Sequence, residues 1–186
     1  MDERTKMCDW FAQMLSYPHL EQSQDGSRFG VGGLSIPGSG FTMYDPPITS
    51  HLQEFKKFVE HLTIEEMEEL YTRTFDINPV ANLEIGWHLY GEQYERGAFL
   101  VKMRGLLRTH HIEESAELPD HLTHVLCLLG KMEKAVADEF AAKYLLPALD
   151  KILEGFKEQS NPYEHVLRSL KSFIEHQHLA GVPSNE

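Results

Sequence analysis

A chain of 186 residues, 41% hydrophobic and 25% charged, has the make-up of one ordinary folded domain and excludes wholesale disorder. Seventeen Lys and Arg against twenty-nine Asp and Glu leave a net charge of −12, which argues against a nucleic-acid partner and for a cationic one, or for solubility alone. Two cysteines without a Cys-x-x-Cys pair point to a reducing compartment. The charged opening MDERTKMCDWF and the absence of an apolar run of about 18 residues predict no export signal and no stable membrane insertion, so the expected location is cytoplasmic.

Met7, Trp10, Phe11, Met14 and Leu15 recur at helical spacing and predict a first helix that stops at Tyr17-Pro18, since proline disfavours helical geometry in the residue before it. From 21 to 47 the composition turns to Gly, Pro and Ser and predicts a long loop, without the Gly-x-x-x-x-Gly-Lys of a phosphate cradle. The helical period returns at Leu52, Phe55, Val59 and Leu62. Thr63-Ile64-Glu65-Glu66 then reads as a capping box opening a helix with Met67, Leu70, Tyr71, Thr74 and Phe75 on one side. Helices are predicted over about 80–90 and 92–110, jointed at Gly91, with Glu92 and Arg96 as an i, i+4 ion pair. Gly97 and Gly105 each cost a helix about 1 kcal/mol relative to alanine, which predicts close approach of another helix or a ligand.

Pro119 and Asp120 predict the first turn of a helix bearing Leu122, Val125, Leu126 and Leu129. A helix from about 131 to 156 should kink or split at Pro147. Asn161-Pro162-Tyr163-Glu164 opens a last helix with Val166, Leu167, Leu170, Phe173 and Ile174 on its apolar face, followed by a flexible tail at 179–186. No alternating strand pattern occurs, so the expected fold is an all-α bundle of about seven to nine helices in a single domain, 1–186.

The stretch RTHHIEESAELPDHLTHVL carries four of the eleven histidines. His121 and His124 have metal-ligand spacing, but adjacent His110 and His111 diverge by about 100° on a helix, and no His-Glu-x-x-His accompanies them. His110, His111 and His124 are expected at the surface and no metal is expected. Both cysteines sit in apolar helical runs and no Gly-x-Ser-x-Gly elbow is present, so no motif indicates an enzyme. Two readings remain for Pro119-Asp120-His121: a well-made helix start, or a carboxylate and an imidazole beside an apolar stripe that receive a cationic, amphipathic peptide.

The segment EELYTRTFDINPVANLEIGWHLYGEQYERGAFLVKMRGLLR from Glu68, followed by ELPDHLTHVLCLL, resembles the NarJ branch of the NarJ/TorD/DmsD redox-enzyme maturation chaperones. The similar features are Tyr71 with Thr74-Phe75-Asp76, His88-Leu89-Tyr90-Gly91-Glu92, Arg96-Gly97 and Glu117-Leu118-Pro119-Asp120, with Leu15-Ser16-Tyr17-Pro18 ahead of them. The resemblance implies an all-α cytoplasmic chaperone, not an enzyme and without a cofactor of its own. Its client would be the catalytic subunit of a molybdenum oxidoreductase, bound by its N-terminal or leader segment before molybdopterin guanine dinucleotide and iron-sulfur clusters are in place.

By that resemblance Pro119, Asp120 and His121 match a leader-binding Pro-Asp-His stretch. The peptide-binding set expected from both lines of reasoning is Tyr71, Phe75, Trp87, His88, Tyr90, Glu92, Arg96, Pro119, Asp120, His121 and Leu122. In it Tyr71, Phe75, Trp87 and Leu122 take the apolar face, Asp120 and Glu92 take the basic groups, and His121 makes binding depend on pH between about 5 and 7. A monomer is expected, with a dimer as the alternative. The competing functions are a metal-dependent helical enzyme and a helical adaptor for an unrelated partner.

Overall fold

The computed structural model describes residues 2–18, 46–156 and 160–179. The fold is all-α, and among the described residues the one β-type pairing is an isolated antiparallel bridge between Glu84 and His121. The Gly-rich stretch at 21–45 and the tail at 180–186 lie outside the described residues; Pro46 and Pro47, expected in the loop, instead open a helix.

The first helix, α1 (Glu3–Met14), starts where the Asp2 carboxylate accepts the Thr5 amide at 2.7 Å. It buries Met7, Cys8, Phe11 and Met14 against α6 (Leu122–Lys131). Leu122, Val125, Leu126, Leu128 and Leu129 of α6 are all inaccessible, as is required of a helix apolar on most of its circumference, and α6 is the central element. On another side α2 (Pro46–Val59) lays Ile48, Leu52, Phe55 and Val59 along α9 (Tyr163–Leu179), which presents Val166, Leu167, Leu170, Phe173 and Ile174. Asn161 starts α9 by accepting the Tyr163 amide at 3.0 Å, as its sequence predicts.

The capping box forms as read: the Glu66 carboxylate accepts the Thr63 amide at 2.8 Å, and α3 (Ile64–Tyr71) follows, running into a π turn at Thr72–Asp76. Tyr71 and Phe75 enter an aromatic cluster with Tyr163, and the Tyr71 hydroxyl donates to the Leu15 carbonyl at 3.0 Å.

The helix expected over 80–90 is shorter than its apolar pattern suggested. Asn78 and Asn82 accept the Val80 and Glu84 amides through their side chains, giving the backbone a turn in place of a helix, and α4 is confined to Ile85–Tyr90. Gly91 at φ 59° ends it, and α5 (Tyr94–Thr109) begins after Gln93. The 131–156 stretch divides as Pro147 predicts: α7 (Lys134–Phe140), a π turn at Ala141–Leu145, and α8 (Leu146–Glu154), with Pro147 in the first turn of α8.

Gly97 and Gly105 correct an expectation. Both are exposed, and an added Cβ would meet nothing within 4 Å at either, so neither marks a close approach. Both lie inside α5 with helical geometry and no positive φ. Gly97→Ala and Gly105→Ala should therefore each raise stability by about 0.5–1 kcal/mol in urea unfolding, where a crowded glycine would give a loss.

Candidate functional site

Two short non-helical stretches meet in front of α6. The Ile85 amide donates to the Asp120 carbonyl at 3.1 Å, and the Leu122 amide donates to the Leu83 carbonyl at 2.8 Å. The Asp120 carboxylate then accepts the Gly86 amide through Oδ2 at 2.9 Å. Asp120 thereby satisfies a donor in the first turn of α4, whose own N-cap residue, Glu84, makes no side-chain cap. Gly86 is required for this approach: a Cβ there would lie 2.5 Å from Asp120 Oδ2 and 2.9 Å from Phe99 Cδ1.

This geometry revises the expected helix start. Pro119 and Asp120 precede α6, and the N-cap is His121, whose Nδ1 accepts the Thr123 amide at 3.4 Å and lies 2.8 Å from the Thr123 hydroxyl. Asp120 caps a different helix, 34 residues away in the chain. Its side chain has no exposed surface, and Oδ1 has no hydrogen-bond partner. Burial is the main cause pushing the Asp120 carboxyl above the usual range, with Glu84 adding to it, against the Gly86 amide and the Arg96 charge.

Below this clamp opens a groove of about 530 Å³ lined by residues of three short stretches and two helices. The turn after α3 supplies Phe75, Asp76, Ile77 and Pro79; the approach to α4 supplies Asn82, Leu83 and Glu84; the rest of the wall is Trp87, Arg96, Glu117 and His121. Its apolar part includes Ile77, 73% exposed, and its acidic part Asp76, Glu84 and Glu117. Arg96 is the one Lys or Arg in the lining. It donates from Nη2 to Glu84 Oε2 at 2.6 Å and places its guanidinium 5.2 Å from the Trp87 ring centre, while its buried Nε has no partner. The Trp87 indole donates to the Pro79 carbonyl at 3.0 Å, which fixes the ring on the turn.

The expected binding residues therefore separate. Phe75, Trp87, Arg96 and His121 line the groove. Tyr71 and Leu122 are core residues at 2% and 0% exposure, and Phe75 shows only 3% of its surface, so most of the expected apolar contact is internal packing. His88 ties its imidazole to the Asn82 carbonyl at 2.8 Å, and Tyr90 packs on Phe99. Pro119 is buried beside Asp120. Glu92 is exposed, and its expected pairing with Arg96 does not form. Gly91 breaks the helix, so Glu92 precedes α5, and Arg96 reaches Glu84 instead.

Two histidines differ from expectation. His124 is buried at 5% exposure, where it accepts the Ser115 amide through Nε2 at 3.1 Å and uses Nδ1–H on the Leu118 carbonyl at 2.9 Å, fastening the 115–118 stretch over α6. His121 is held at about 4 by burial and, secondarily, by the neighbouring His124, so it stays neutral between pH 5 and 7 and supplies no switch there. Periodicity and spacing do not single out Asp76, Ile77, Pro79, Asn82, Leu83, Glu84 and Glu117, which the groove also presents. Asp76 and Glu117 belong to motifs that carry the resemblance, but Asp76 ends a π turn and Glu117 lies in a bend, where helical periodicity assigns no face. Among the described residues no three His, Cys, Asp or Glu side chains converge as a metal cage, and no helix is long and apolar enough to cross a membrane.

Asp120 and His121 give separate stability tests. Asp120→Ala leaves the buried Gly86 amide unpaired and should cost about 1–3 kcal/mol at pH 7, whereas Asp120→Asn keeps an acceptor oxygen, sheds a buried charge and should cost less than about 1 kcal/mol. Urea unfolding of both variants decides, and equal losses would mean that the fold requires the charge itself. For His121, the unfolded chain takes up a proton from its ordinary value of 6.5 while the folded chain resists until about 4. Its contribution is full above pH 6.5 and is lost as pH falls, about 3 kcal/mol by pH 4. Asp120, shifted upward, works in the opposite sense, favouring the fold at low pH and losing that contribution as pH rises. Wild type should thus lose about 3 kcal/mol more than His121→Gln between pH 7 and 4, a comparison in which Asp120 is common to both.

The family model described as "Nitrate reductase delta subunit" matches residues 43–180, a span that includes every groove-lining residue. No curated protein matches the chain.

Proposed function

The chain belongs to the nitrate reductase delta subunit family, whose general role is as a chaperone of nitrate reductase assembly and not as an enzyme, and from that premise we propose that its groove receives the N-terminal segment of a molybdenum-containing catalytic subunit. The observation that carries this reading is the juxtaposition of Asp76, Glu84 and Glu117 with Phe75, Ile77 and Trp87 in one open groove. A basic, amphipathic segment complements both parts: its apolar residues cover Ile77 and Trp87, and its cations meet the carboxylates. The net charge of −12 adds long-range attraction for such a segment.

In this reading the chaperone acts in the cytoplasm and makes no covalent bond. By holding the segment it favours an open client subunit that can accept molybdopterin guanine dinucleotide and iron-sulfur clusters before membrane attachment or export. Those groups belong to the client. Release follows when the loaded subunit binds more weakly, because a partner shifts an equilibrium only through differential affinity.

Asp120 has a changed part in this proposal. Buried and committed to Gly86, it positions the groove wall, and the exposed carboxylates take the peptide's charge. Calorimetry with the first ~30 residues of the client should show affinity falling as salt rises, through screening. Asp76→Asn with Glu117→Gln should weaken binding by about three- to tenfold and flatten the salt dependence, since each rim charge contributes up to about 1 kcal/mol. Affinity indifferent to both changes would refute the groove as the peptide's seat.

A further inference from the structure

We infer that the groove contains a guanidinium subsite, formed by the Trp87 ring and the Glu84 carboxylate, which Arg96 fills in the free chaperone and an arginine of the bound segment takes over. Planar cations stack on indole faces and pair with carboxylates in one arrangement, and Arg96 displays both contacts: 5.2 Å to the ring centre and 2.6 Å to Glu84 Oε2. The seat is open to exchange. The Arg96 and Glu84 side chains are 21% and 31% exposed, and both residues line the groove.

Arg96 also fits its seat incompletely, since its buried Nε has no acceptor. A ligand arginine at Trp87 and Glu84 would displace Arg96 from both contacts. With Asp76, Glu84 and Glu117 against Arg96 alone, the lining carries more carboxylates than its resident cation neutralises. The ligand chemistry is that of a guanidinium, and an ammonium, which cannot stack or fork, is the poorer occupant.

The subsite rests on the peptide reading only for the owner of the incoming arginine, so small probes test it separately. The full chain is titrated with N-acetyl-arginine amide, N-acetyl-lysine amide and the neutral isostere N-acetyl-citrulline amide, followed by 1H–15N spectra of the Trp87 indole and the Arg96 Nε. Trp10, the other tryptophan, packs on Phe11 at 5.1 Å and serves as internal control.

In wild type the arginine probe should shift the Trp87 and Arg96 signals with one midpoint, the lysine probe should do so more weakly, and citrulline should move neither. Arg96→Gln should bind the arginine probe about tenfold tighter, because a resident that fills the seat nine-tenths of the time lowers apparent affinity by about that factor. Adding Glu84→Gln should remove the gain. Equal response to the three probes, an unmoved Arg96 signal in wild type, or a natively folded Arg96→Gln without tightening would overturn the subsite. Should Arg96→Gln not fold, the wild-type titration decides alone. Client peptide that binds while the probes do not discriminate overturns the subsite and leaves the groove reading standing; the reverse result overturns the groove reading alone.

Discussion

One buried carboxylate organises the groove-bearing half of this molecule. Asp120 has no exposed surface, yet its Oδ2 and its backbone carbonyl take the amides of Gly86 and Ile85, so the first turn of α4 is completed by a residue from in front of α6. The Leu122 amide returns a bond to Leu83. These bonds tie the start of α4, with Trp87 on it, to the stretch that enters the central helix. A glycine at 86 is the steric condition for them, because any side chain would collide with Asp120 and Phe99. The groove is the open space on the far side of this clamp.

The arrangement assigns different tasks to acids that look alike in sequence. Burial raises the Asp120 carboxyl and the Gly86 amide steadies its ionised form, a balance suited to a structural element whose partner never leaves. Asp76, Glu84 and Glu117 lie where an incoming cation can reach them. Imidazoles divide in the same way. His124 bridges the Ser115 amide and the Leu118 carbonyl, and His121, held at about 4, is a neutral cap on α6 that also faces the groove. His124 is buried and not the surface histidine that composition alone suggests, and His121 is not a neutral-range titrating group.

What the chain reveals unaided follows from how local each feature is. Thr63 with Glu66, Asn161 before Tyr163 and Pro147 act within one helical turn, and each appears in the fold as its chemistry dictates. The all-α class follows likewise from an apolar period that never becomes two. Features set by distant residues were misread. Asn78 and Asn82 turned an apparent helix into turns, from which Pro79, Asn82, Leu83 and Glu84 line the groove. Asp120, expected in the first turn of its own helix, precedes that helix and caps another, and Arg96, expected to meet Glu92 four residues away, meets Glu84 instead. Tyr71 and Leu122 were legible as apolar but not as core, since periodicity gives a face without saying what covers it. Of the expected binding set Phe75, Trp87, Arg96 and His121 line the groove, and the acids beside them lie in turns that carry no periodic signal.

The proposed seat of the client's N-terminal segment is the groove beneath the Asp120 clamp. Amide hydrogen exchange of the full chain, with and without that peptide, tests it most directly. Added protection should concentrate at 75–87 and 117–121 and leave the outer face of α5 around Gly97–Gly105 unchanged. Tight peptide binding with protection confined to α5 or to the α2–α9 pair would contradict it.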